Sequence, residues 1–153
     1  FCKKKKGYAF SRKTVFANET PKLSWPCVEA ILEILELTKR AIQDNDLDAV
    51  KRVEPLEEAI DILIREVKSH HIQRVQAGNC TLELGFVFND CLNNFERVAD
   101  HCSNIAVAVL ESADSHVHAH DYLRTIKEDV GEEFRTLVNE YANKYYIEFA
   151  GDK

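Results

Sequence analysis

Two acidic pairs in this chain of 153 residues have the spacing at which a helix presents both carboxylates on one face: Glu57 with Asp61, and Glu96 with Asp100. Helical residues four apart lie about 40° apart around the axis, one turn above the other. Like charges so placed repel by a few tenths of a kcal/mol or so, and a cation between them removes that cost. Oxygen donors on one turn suit a hard or borderline metal ion. Asn89, Asn93 and Asn104 lie close to Glu96 and Asp100, while Glu54 and Glu58 flank the other pair. Two such pairs on consecutive antiparallel helices could converge on one metal cluster, as in di-metal bundles. The competing reading of the same residues is a solvated polar face, with Arg65 and Arg97 neutralising the acids as ordinary ion pairs.

Other chemistry is thinly represented. His116, His118 and His120 alternate as a metal-chelating loop would, but the spacing suits a plain loop equally, and His70-His71 is read the same way. There is no Gly-rich phosphate loop, Walker motif, zinc-finger spacing or nucleophile elbow. A ferritin-like di-metal enzyme would need Glu-x-x-His elements. Here Val67 stands three residues before His70 and Val98 three before His101, so no enzyme activity is expected. Five Cys without a secretory signal point to a reduced, cytosolic setting. Cys91 and Cys102 stand three helical turns apart and are read as small core side chains.

The elements that must position the acidic pairs are helices. Five Gly and three Pro, just one of the prolines beyond residue 26, leave few breakers. Ser24 as N-cap and Pro26 near the first helical position predict a helix from about Trp25 to Gln43, with Cys27/Val28, Ile31, Ile34/Leu35, Thr38 and Ile42 inward. Asp44-Asn45-Asp46 stops it and caps a second helix from about Leu47 to Ala77. That helix has the stripe Val50, Val53, Ile60, Ile64, Val67 and His71, a kink or break at Pro55, and an end at Gly78-Asn79. A third helix, from about Thr81 to Ser112, is expected to bury Leu84, Val87/Phe88, Cys91, Phe95, Val98, Cys102, Ile105 and Val109. On that facing Glu96 and Asp100 lie nearly opposite the apolar stripe, and His101 packs at the core edge. A fourth helix, from about Asp121 to Tyr146, would bury Leu123, Ile126, Val130, Phe134, Leu137 and Tyr141. Four long helices with short connections predict an all-α, antiparallel up-down bundle.

Charge divides the chain. Lys3, Lys4, Lys5, Lys6, Arg12 and Lys13 form a basic leader without acids, and the other 14 basic residues face all 26 acids, leaving the rest near −12. An acidic body argues against nucleic acid as a partner. The leader has three readings: a nonspecific solubilising tail, a nucleic-acid arm, or the cytosolic flank of a transmembrane helix, the last of which would set Lys3 to Lys6 against anionic lipid. No run of 18 or more apolar residues is present, so no segment of the chain is expected to span a membrane. The chain starts at Phe1 and contains no Met, so it is read as part of something longer.

The run Glu96-Arg97-Val98-Ala99-Asp100-His101-Cys102-Ser103-Asn104-Ile105-Ala106 resembles the signature helix of PhoU proteins, and Glu57-Glu58-Ala59-Ile60-Asp61 resembles the matching element on the preceding helix. Thr20-Pro21-Lys22-Leu23, the run Gln76-Ala77-Gly78-Asn79-Cys80-Thr81-Leu82-Glu83-Leu84-Gly85-Phe86 and the ending Tyr141-Ala142-Asn143-Lys144-Tyr145 resemble the PhoU-like C-terminal region of bacterial sodium/phosphate cotransporters. The likeness covers roughly residues 20–147. It implies a three-helix unit, a metal such as iron, zinc, nickel or manganese held by Glu57, Asp61, Glu96 and Asp100, and control of phosphate uptake. PhoU proteins carry two such units and this chain one plus an extra helix, so a complete cluster would draw on a second subunit or would not form.

The expectation is therefore a basic juxtamembrane-type linker over 1–22 and a PhoU-like bundle over 23–153. It would act as a non-enzymatic regulatory domain at the cytoplasmic side of the membrane. Its partners would be the transmembrane region of its own polypeptide and, as a homodimer, a second copy. The alternatives are a free-standing PhoU-type phosphate-signalling adaptor and a di-metal helical-bundle enzyme.

Overall fold

The structure, a computed structural model, describes residues 20–113 and 131–146, with side chains from Trp25 onward. The basic leader, the three alternating histidines and the start of the expected fourth helix (Leu123, Ile126, Val130) lie outside the described residues. Among the described residues four helices are seen: α1 Thr20–Gln43, α2 Leu47–Gln76, α3 Leu82–Ala113 and α4 Gly131–Lys144. There is no strand among the described residues, and the all-α bundle read from the spacing is what forms.

The turns follow from local chemistry. Asp46 caps α2 by accepting from the backbone N–H of Asp48 and Ala49, after Asn45 adopts φ 52°. Gly78, at φ 74°, closes α2 while Asn79 N–H returns to the Arg74 carbonyl at 2.9 Å. Both connections are short, so α1–α2 and α2–α3 are antiparallel hairpins. Pairings across α2–α3 agree, Glu54 meeting Ser103 and Lys68 meeting Glu96.

Two boundary expectations change. α1 starts at Thr20, before the expected cap Ser24, so Pro26 lies inside the helix rather than near its first position. Pro21 falls in the first turn, where its missing N–H removes no helical hydrogen bond. α2 also runs unbroken through Pro55, which is buried.

α2 is the centre of the molecule. It packs against α1, α3 and α4, while α1 and α3 also touch each other. Ile34, Leu56, Ile60, Ile64 and Leu92 are the largest side chains sealed in the core, each contributing roughly 1.5–3 kcal/mol by leaving water. The predicted α2 stripe from Val50 to His71 is buried throughout.

The facing of α3 is a correction. Its buried residues are Phe88, Leu92, Ala99, Cys102, Ala106 and Val107. Phe95, Val98 and Val109 pack against the core only in part, Leu84 is half-buried, and Val87, Cys91, His101 and Ile105 are exposed. The inward face thus lies about 70° around the axis from the most hydrophobic stripe. Ala99 and Ala106 are sealed on this inward face, where small side chains permit a close helix–helix approach. His101, expected at the core edge, points outward as a result. In α4, Tyr141 and Val138 are buried, and Phe134 and Leu137 only partly.

Candidate functional site

The rotation of α3 decides what the acidic residues do. Glu96 moves from the outer face to the flank of the contact with α2. Its carboxylate receives the Lys68 ammonium at 2.8 and 2.9 Å, one bond to each oxygen. The two side chains are only a quarter and a third exposed, so this pair is screened less than a surface one.

Asp61 lies two turns before Lys68 and is half-buried. Burial pushes its carboxyl above the ordinary range, and the negative charges of Glu96, Asp100 and Glu58 push it further, against the opposing pull of Arg65. Three of the four expected acids, Asp61, Glu96 and Asp100, therefore share one electrostatic neighbourhood across the α2–α3 contact. Glu57, one turn earlier, is half-buried, and Asp100 is exposed.

Carboxylate chemistry and converging negative charge suit a metal cation; the geometry suits it less. Among the described residues no group of three or more His, Cys, Asp or Glu side chains is close enough to hold one, and both oxygens of Glu96 are engaged by Lys68. A lysine thus stands where a cation was expected. The sequence carried its signal: Glu54, Glu57, Asp61 and Lys68 recur at spacings of three, four and seven and so share one face of α2. Glu54, read as a neighbour of the acidic pair, is itself buried and accepts a hydrogen bond from the Ser103 hydroxyl.

A second feature went unread in the sequence. A pocket of about 320 Å³ opens where α2 ends and α3 begins, lined by Lys68, His71, Val75, Phe86, Phe88 and Leu92 among others. His71 is buried with its ring centroid 4.7 Å from that of Phe88. Burial, then the Arg74 charge, lowers its basicity, and its Nε2 has no hydrogen-bond partner among the described residues. Gly85 permits this approach, since a Cβ there would stand 3.2 Å from Nε2. Of the described cysteines, Cys27 and Cys102 are buried, Cys80 is partly accessible and Cys91 is exposed.

Comparison with known proteins bears on the same helices. The PhoU domain model matches residues 28–109, just over half of the chain. Over 107 residues the chain is 23% identical to the phosphate-specific transport system accessory protein PhoU homolog 1 of Thermotoga maritima, a match that takes in 65% of this chain and 46% of that protein. The chain thus spans about half the length of the curated relative it matches. No solved structure matches it. The matched stretch contains most of α1, all of α2 and α3 as far as Val109, and with them every acidic residue of the cluster. This chain belongs to the PhoU domain family.

Proposed function

We propose that the chain is a regulatory domain that controls phosphate transport by docking, without catalysing a reaction. The observation that carries this reading is the PhoU match over α1–α3, joined to a relative named as an accessory protein of phosphate-specific transport. A docked domain changes transport to the extent that it binds one transporter state more tightly than another.

Within that reading the chain is the cytosolic domain of a sodium/phosphate cotransporter. The basic leader with Lys3 to Lys6 supports it, as does the likeness of residues 20–23 and 76–86 to the cotransporter branch. No helix among the described residues is long and apolar enough to cross a membrane, so the transporter region in this reading is a different part of the same polypeptide. The test is phosphate uptake by cells carrying the parent gene with and without these residues. Several-fold altered uptake is expected; unchanged uptake and unchanged phosphate-responsive expression would reject it. Membrane spans encoded ahead of Phe1 distinguish a fused domain from a free-standing adaptor.

The reading extends to a metal. Iron, zinc, nickel or manganese bound through Glu57, Asp61, Glu96 and Asp100 would take the place of Lys68 and relieve the repulsion around Asp61. Metal analysis of the purified chain is expected to find such an ion, lost in Asp100→Ala. Equal metal content in both proteins rules out this set of ligands.

A further inference from the structure

The pocket at the α2–α3 turn and the acidic cluster are two ends of one groove. Among the described residues the pocket's walls come from α2 and α3 alone. Ile72, Leu82 and Phe86 line it while 57%, 69% and 75% exposed, and His71, Phe88 and Leu92 line it from the core side. Lys68 lines it too, and its bond to Glu96 joins the pocket to the acids. Asp61 lies seven residues before Lys68, about 10 Å along α2. Around Asp61 the positive charges of Arg65 and Lys68 do not balance Glu58, Glu96 and Asp100. The groove is thus apolar at one end and negative at the other.

Such a groove fits a segment with an aromatic anchor, a run of cations and no acids. The chain carries one ahead of α1. Lys3 to Lys6 stand four to seven residues before Phe10, and no acid occurs before Glu19. Topology brings this segment to the pocket. Thr20 is 23 residues back from Gln43 at the end of α1, and 23 residues on from Leu47 at the start of α2 is His70. In an antiparallel hairpin those two positions are level, so the chain enters α1 at the height of the pocket. Passing around one helix takes about 15–20 Å of chain. Ten residues, from Phe10 to Thr20, span up to about 35 Å, and the four from Phe16 only about 14 Å. Phe10 therefore reaches the pocket with slack. Lys3 to Lys6, up to about 14–25 Å further on, reach Asp61 and Asp100.

We propose that residues 3–10 dock in the α2–α3 groove of their own chain, with Phe10 in the apolar pocket and Lys3 to Lys6 along Glu96, Asp61 and Asp100. Charge selects this occupant, since the same acids repel an anionic bilayer. Tethering gives the segment an effective concentration in the millimolar range, so individually weak contacts suffice. Docked, it covers Ile72, Leu82 and Phe86 against other partners, and a metal ion on the same acids would displace its lysines.

The test is carbodiimide cross-linking of the full, metal-stripped chain, which joins lysines to carboxylates in contact and is mapped by peptide mass spectrometry. The Lys68–Glu96 link is the internal standard, because that pair is already bonded. Links from Lys3 to Lys6 onto Asp61 or Asp100 are expected. In an equal mixture of isotope-labelled and unlabelled protein they should fall within one chain. Their yield should drop about threefold or more in Phe10→Ser, in Phe86→Ser and in about 0.5 M salt. The Lys68–Glu96 link should persist in both variants, showing that the bundle is intact. Leader lysines that link evenly to exposed acids such as Glu36 and Asp48, or not at all, overturn the proposal. A yield indifferent to both Phe substitutions overturns it as well. Links found only between labelled and unlabelled chains would give the groove to a second copy instead. Lysines unlinked in solution but shielded from acetylation by phosphatidylglycerol vesicles would give the leader to lipid. None of these readouts involves phosphate, so this contact and the regulatory reading fail separately.

Discussion

At the scale of single residues, the acidic cluster is held together by one lysine. Lys68 is the cation hydrogen-bonded to Glu96, and without it three carboxylates would face one another across α2 and α3. Lys68→Met should cost about 1 kcal/mol in urea unfolding, and Glu96→Gln in that background should recover most of it, the signature of a coupled pair. Asp61 has the opposite balance. Its carboxyl is raised, by burial first and by the neighbouring acids next, so it holds its proton more tightly folded than unfolded. That favours the fold below the ordinary carboxylate range, and the advantage disappears as pH rises through the raised value. Asp61→Asn should therefore melt about 1–3 °C higher than the parent at pH 7, with the gap closing near pH 3.5. A constant gap across that range would mean that ionisation of Asp61 is not the source.

At the scale of elements, the facing of α3 is the feature most open to test. Ala99 is sealed and Val98 only partly buried. A charge at Ala99 must be desolvated between α3 and its neighbours, whereas one at Val98 can reach water. Ala99→Asp should thus cost about 3–5 kcal/mol, and Val98→Asp roughly 1–2 kcal/mol, by chemical denaturation. The reverse order would restore the stripe that hydrophobicity alone suggests. Thiol chemistry reads the same facing from another side. Burial pushes the Cys27 thiol up to about 12, while Cys91 is exposed. A thiol reagent should label Cys91 promptly in the folded protein and Cys27 only after unfolding.

At the scale of the whole molecule, α4 packs on α2 and its end is tied to α1 through Glu33. Glu33 receives the Lys144 ammonium at 2.7 Å and the hydroxyl of Tyr145. Lys144 also lies over the Tyr145 ring, 5.2 Å from its centroid. Glu33→Ala should raise amide exchange across residues 131–146 by roughly tenfold while leaving the core of α2 protected. Equal acceleration in α2 would mean that α4 and the three-helix unit unfold together.

Residue order alone determined the helices, their caps at Asp46 and Gly78, the antiparallel hairpins and the buried stripe of α2, because each depends on neighbours within a turn or two. It also placed Asp61, Glu96 and Asp100 on helices that meet. Tertiary packing decided how far each helix is rotated about its axis. α3 turns so that Ala99 and Ala106 face inward, and α1 leaves Leu32, Leu35 and Ile42 outside. Periodicity ranks faces by hydrophobicity, whereas close packing ranks them by fit against neighbours distant in sequence. That difference sets Lys68 on Glu96, turns His101 outward and leaves Leu32, Leu35 and Ile42 exposed on α1.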